Sequence, residues 1–196
     1  MKNPSTYEVD AEKRLGRLID MGMSRAALAA SISHIVTCLK NGGTVFTCGN
    51  GGSAAESDHG VGEALGTFRR RDRKPLRWFD LTAHKATIMA IANDFGFEKI
   101  FVRQLEAFAK PGDVLIGFST SGASENVLAA MRWAQPKKLV TIAMTGLDGA
   151  PIHEFSNVCL RAPFKNKTPE RDTDFIQEVH LAIVHYWFAE LDTIDW

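Results

Sequence analysis

The sequence predicts an α/β fold, a mostly parallel β-sheet with helices on both faces. Three observations lead there. Five short apolar runs, at 44–48, 77–81, 113–118, 138–144 and 157–161, alternate with longer segments of helical periodicity, the pattern of βαβ units. Two of these runs end in small-residue loops of nearly the same design, Cys48-Gly49-Asn50-Gly51-Gly52-Ser53 and Ser119-Thr120-Ser121-Gly122-Ala123-Ser124. At 196 residues the chain is long enough for one domain with a sizeable core.

Two helices precede the first strand. Leu15, Leu18, Ile19 and Met23 form one apolar stripe. After Ser24 as a cap, Leu28, Ile32, Ile35, Val36 and Leu39 form a second, stopped by Asn41-Gly42-Gly43. Further helical patterns cover about 53–66, 83–110 and 124–134, and a last helix about 172–191. The stretch from Ala162 to Pro169 reads as the most loop-like part of the chain.

Composition excludes several classes. Hydrophobic residues make up 45%, too many for a disordered chain, and 23 basic residues balance 23 acidic ones. Bulk charge therefore gives no case for nucleic acid or an anionic membrane. The basic run Arg69-Arg70-Arg71-Asp72-Arg73-Lys74 reads as a solvated loop. Three scattered cysteines without a CxxC pair indicate neither a disulfide framework nor a zinc knuckle. With no signal peptide pattern and no membrane-length apolar run, the expectation is a soluble cytoplasmic protein.

The two loops carry the first functional signal. Small residues let the backbone approach a ligand, while hydroxyls and free N–H groups at a helix start suit an anion. Neither loop has a Walker lysine or dinucleotide-fingerprint spacing. They suggest a phosphate on a sugar-sized molecule, held by neutral donors. In open parallel sheets such loops lie at the carboxyl ends of strands, where ligands bind.

Beyond the first loop, His59 and Glu63 are four residues apart and share a helix face. They are half of a possible divalent-metal site, although on spacing alone an ordinary surface pair is the commoner outcome. The last helix carries Asp174, Gln177, Glu178, His180 and His185. His185 sits in Ile183-Val184-His185-Tyr186-Trp187-Phe188, where a histidine is more often core than ligand. Gln177 couples more naturally to His180 than to His185, which is eight residues on and roughly 12 Å along the axis. Asn93 and Asp94 could cap a following helix or bind substrate hydroxyls.

Several motifs together resemble a known family. They are Gly49-Asn50-Gly51-Gly52-Ser53, the segment Ala90 to Glu98, the segment Pro111 to Gly122, Ser124-Glu125-Asn126-Val127-Leu128 and Ile176-Gln177-Glu178-Val179-His180. In kind and order, over about 10–192, they resemble the phosphoheptose isomerases of the sugar isomerase (SIS) family. The resemblance implies a three-layer αβα sandwich with a five-stranded parallel sheet, the flavodoxin-like SIS domain. That domain would span 1–196, with N-terminal helices at 6–41 and the αβα core at 44–192. It also implies a homotetramer with active sites near subunit contacts.

The implied reaction converts sedoheptulose 7-phosphate to glycero-manno-heptose 7-phosphate for bacterial surface glycans. The resemblance would put Asn50, Gly51, Gly52, Ser53, Glu63, Asn93, Asp94 and Gln177 against the sugar. Ser119, Thr120, Ser121 and Ser124 would hold its phosphate. One Zn²⁺ per subunit would be held by His59, Glu63, Gln177 and His185, with Glu63 and His185 as the acid–base pair. The segment around Val61 and residues 163–173 depart from the family pattern, which bears on sugar specificity. Rival expectations are a non-catalytic SIS protein that binds a replication initiator, and an isomerase or sensor for another phosphosugar.

Overall fold

The computed structural model describes residues 4–165 and 172–196. Five strands, β1 (Val45–Cys48), β2 (Trp78–Asp80), β3 (Val114–Phe118), β4 (Val140–Gly146) and β5 (Val158–Ala162), form one sheet in the order β2-β1-β3-β4-β5. Every pairing is parallel. Parallel strands need crossovers; α-helices supply all but the last, where a loop with a 3₁₀ turn (Ile152–Phe155) leads from β4 to β5. The helices are α1 (Pro4–Asp20), α2 (Arg25–Lys40), α3 (Gly52–Leu65), α4 (Lys85–Phe95), α5 (Val102–Phe108), α6 (Glu125–Ala134) and α7 (Thr173–Leu191).

Strand alternation sorts the core into two layers. Val45, Val114, Ile116, Phe118, Ile142 and Met144 face one side and bury Leu28, Ile35, Ile176, Val179, Ile183 and Trp187 of α2 and α7. Phe46, Cys48 and Leu115 face the other, against Leu105, Val127, Leu128 and Met131 of α5 and α6. The strands are buried on both faces, so they read as short continuous apolar runs.

Each predicted strand is present within two residues of its expected bounds. Ser24 does cap α2, its side chain accepting from the Ala27 N–H at 3.3 Å. The long helical pattern at 83–110 is two helices, divided where Ala92 to Gly96 reads as the end of one pattern and the start of another. α4 ends at Gly96, whose φ of 94° lies in the region glycine favours. Asn93 and Asp94 lie inside the last turn of α4, so neither caps the next helix. Of the loop-like stretch and the 163–173 departure, 166–171 fall outside the described residues. Among the described residues no helix is long and apolar enough to cross a membrane.

Candidate functional site

The strand order reverses between β1 and β3, which pair directly. Their carboxyl ends open into the two small-residue loops, so both loops flank the crevice where such sheets bind ligands. Two reciprocal hydrogen bonds tie them together. Asn50 Nδ2 donates to Asn126 Oδ1 and Asn126 Nδ2 donates to Asn50 Oδ1, each at 2.8 Å.

In the first loop, glycine is a steric requirement at two positions. A Cβ on Gly49 would stand 2.6 Å from the Ser53 carbonyl oxygen. One on Gly52 would stand 2.7 Å from Gln177 Oε1, so the bare backbone lets α7 lay that amide on the start of α3. Gly51 caps α3 with φ 57°, and Ser53 is buried.

The second loop holds itself in shape. Ser119 Oγ donates to Ser124 Oγ at 3.1 Å, and the Gly122 N–H closes a turn on the Ser119 carbonyl at 2.9 Å. Gly122, at φ 68°, sits against the Gly149 backbone, and the Gly146 N–H donates to the Thr120 carbonyl at 3.0 Å. Ser124 is the N-cap of α6 but makes no side-chain cap bond. Hydroxyls and helix-start N–H groups thus converge where an anion could dock.

About two and three turns along α3, His59 and Glu63 meet His185 of α7. His59 Nε2 lies 3.0 Å from His185 Nε2 and 3.3 Å from Glu63 Oε1. One ligand atom from each of the three falls within 4.8 Å of the others. His59 is 38% exposed and Glu63 19% at the side chain, so the cluster opens to solvent. Phe68 stacks on the His185 ring at 5.7 Å, with the guanidiniums of Arg14 and Arg69 over Phe68 at 5.0 and 5.5 Å. Burial, then the neighbouring His59, Arg14 and Arg69, push the His185 pKa below its ordinary 6.5.

The two α7 histidines have opposite surroundings. His180 is fully buried, its Nε2 3.3 Å from the Thr145 carbonyl and its ring edge-on to Phe118. Its Nδ1 lies 3.6 Å from Glu56 Oε2, an ion-pair separation too long for a hydrogen bond. Five residues separate the histidines, which at ~100° per residue turns them about 140° apart. His180 is therefore the core histidine, and His185 faces α3.

The cluster fits a divalent metal. Two imidazole nitrogens and a carboxylate are a zinc-type donor set, and two ligands on one tetrahedral zinc at ~2.0–2.1 Å stand roughly 3.3 Å apart. The observed 3.0 and 3.3 Å spacings match that edge. Gln177 lies on Gly52, at the start of the helix that carries His59. Asn93 and Asp94 lie apart from the cluster, exposed on α4, with Asn93 Nδ2 donating to Asp94 Oδ1 at 2.8 Å.

Comparison with known proteins agrees with this geometry. Residues 6–146 match the SIS domain family. A phosphoheptose isomerase from Rhodospirillum rubrum is 40% identical over 167 residues, covering 85% of both chains. The phosphoheptose isomerase structure from Francisella tularensis superposes with a TM-score of 0.82 at 32% identity, covering 97% of this chain and 96% of that one. The one from Neisseria gonorrhoeae gives 0.79 at 30% identity, over 97% of each.

The chain belongs to the SIS domain family, among its phosphoheptose isomerases. It is an isomerase.

Sequence reasoning passed over several residues at this site. Asn126 looked like part of a helix start, yet it is buried and cross-links the loops. Its position just after Ser124-Glu125 was the available signal. Phe68 and Arg69 gave no signal, because their contact with the cluster is made only in three dimensions. The solvated-loop reading of 69–74 fails at Arg73, which is buried against Asp192.

Proposed function

We propose that the protein interconverts sedoheptulose 7-phosphate and glycero-manno-heptose 7-phosphate, with one Zn²⁺ per subunit. The observation that carries this reading is the convergence of His59, Glu63 and His185 beside two phosphate-suited loops at the sheet's switch point. The names of its relatives support the substrate.

An aldose–ketose isomerisation moves a proton between neighbouring carbons while a carbonyl and a hydroxyl exchange places. It needs a base for the carbon-bound proton, an acid–base group for the oxygens and stabilisation of an enediol-type intermediate. Glu63 takes the proton from one carbon and returns it to the next. His185 moves the proton between the two oxygens, and its lowered pKa keeps it neutral and able to accept. His59, Glu63, His185 and Gln177 would hold zinc, which would supply Lewis-acid polarisation of the carbonyl, and Glu63 and His185 would each move a proton only when not ligating the ion. Ser119, Thr120, Ser121 and Ser124 grip the phosphate. Asn50, Gly51, Gly52 and Ser53 orient the sugar chain between loop and cluster.

Asn93 and Asp94 fit this reading as substrate contacts near a subunit boundary. α4 buries none of its residues in this chain, and Met89 on it is 71% exposed, with Phe95 and Phe97 also exposed. That uncovered apolar face supports contact between subunits, as the homotetramer implied by the family resemblance requires. In this reading the reaction takes place in the cytoplasm and supplies heptose for bacterial surface glycans. A non-catalytic phosphosugar or initiator binder does not need an acid–base pair, so the converged His–Glu–His cluster favours the enzyme.

Purified protein incubated with a panel of ketose phosphates, with and without zinc, tests the reading. Aldose formation from sedoheptulose 7-phosphate that stops on chelation and returns with zinc is the expected result. Faster turnover of another ketose phosphate would reassign the sugar. Binding without turnover would make the protein a sensor, and full activity after verified zinc removal would rule out a catalytic metal.

A further inference from the structure

The basic run at 69–74 contains a buried device that the proposed chemistry does not yet use. Arg73 is 0% exposed and Asp192, which ends α7, is 1% exposed at the side chain. Arg73 Nε donates to Asp192 Oδ1 at 2.8 Å. Its other nitrogens point at the end of α3, with Nη2 donating to the Glu63 carbonyl at 2.5 Å and Nη1 to the Ala64 carbonyl at 3.2 Å. These carbonyls belong to the last turn of α3, where a helix cannot satisfy its own acceptors. Asp192 Oδ2 meanwhile accepts the Arg69 and Arg70 N–H groups, both at 2.9 Å. One buried ion pair thus joins the ends of the two helices that carry Glu63 and His185. The loop it pins also carries Phe68, which stacks on His185.

A buried ion pair is seldom more stabilising than two apolar side chains in its place. What it supplies here is direction. The guanidinium is a rigid planar fork that can hold a carboxylate and two carbonyls at once, whereas an ammonium is a point charge without that geometry.

We propose that Arg73, held by Asp192, is a positioning residue: it clamps the last turn of α3 to the end of α7 and so sets the Glu63 carboxylate against His59 and His185. The proposal rests on the reading of that cluster as a zinc and acid–base site.

The test compares wild type, Arg73→Lys and the double variant Arg73→Met/Asp192→Asn. The double variant leaves no buried charge alone, and the asparagine side chain still offers an oxygen to the Arg69 and Arg70 amides. Chelator competition measures zinc affinity, and the Co²⁺-loaded protein gives an absorption spectrum that reports ligand geometry. The double variant should bind zinc roughly 10–100-fold more weakly, as for other groups that orient ligands from behind, with an altered Co²⁺ spectrum. Its kcat should fall while KM for the phosphosugar holds, and Arg73→Lys should lie between. Folded variants with wild-type zinc affinity and spectrum would overturn the proposal. So would failure of both variants to fold, which would make the pair a determinant of folding alone. A wild type that binds zinc tightly but turns over no ketose phosphate would sink the isomerase reading, while the metal affinities would still decide the role of Arg73.

Discussion

The two strand–loop–helix units at the switch point start from nearly the same residues and end as different instruments. The loop after β3 is bonded to itself through Ser119, Ser124 and Gly122, and its helix α6 carries none of the His–Glu–His cluster. The loop after β1 is packed from outside, with the Gln177 amide on Gly52, and its helix α3 carries His59 and Glu63 towards α7. A phosphate-suited loop confers binding. Chemistry depends on what the adjoining helix meets.

The sharpest way to break this division is Glu63→Gln on the α3 side. It should cut kcat by ~10²–10⁴, the worth of a positioned base, and leave KM nearly unchanged. A variant that keeps more than about a tenth of wild-type turnover would remove Glu63 from that role. On the other side, Ser119→Ala should weaken phosphosugar binding by about tenfold, the low end for a hydrogen bond to a charged group, with kcat little affected. Steady-state kinetics would show it, and a loss confined to kcat would mean that the second loop also serves chemistry.

Gly52→Ala tests the outside packing. Its Cβ would stand 2.8 Å from Gln177 Cδ, so the amide must move. Zinc affinity should drop by up to about tenfold if Gln177 orients or completes the metal site, and an unchanged affinity in chelator competition would exclude Gln177 from it. The smallest effect concerns charge. In zinc-free protein, His185 should titrate by NMR below its ordinary 6.5. Protonation is disfavoured there by burial and by nearby positive charge, so Arg69→Gln should move the midpoint upwards. A downward move would reverse the assigned sign.

Much of the fold was legible because its cues are local. Apolar runs near Val45, Val114 and Val140 marked buried strands, and Ser24 marked a helix start. The break at Gly96 was legible too, since Ala92 to Gly96 ends one helical pattern and starts another, and the positive φ of Gly96 is what separates α4 from the next helical turn. At the site, the His59–Glu63 pair could be read from spacing, since four residues on a helix always share a face. His185 could not, because its role depends on which side of α7 meets α3. Spacing favoured His180 as the partner of Gln177, and that histidine lies in the core against Thr145 and Phe118.

By itself, then, the sequence determined the order of strands and helices, the two small-residue loops and the local pair on α3. These depend on periodicity, sterics and neighbours a few residues away. Tertiary structure alone decided that β1 and β3 stand side by side, that His185 reaches His59, and that Arg73 is buried against Asp192 rather than solvated. Each of those joins groups more than sixty residues apart. Such contacts are selected by the packing of the whole sheet and its helices, and no short stretch of the chain encodes them.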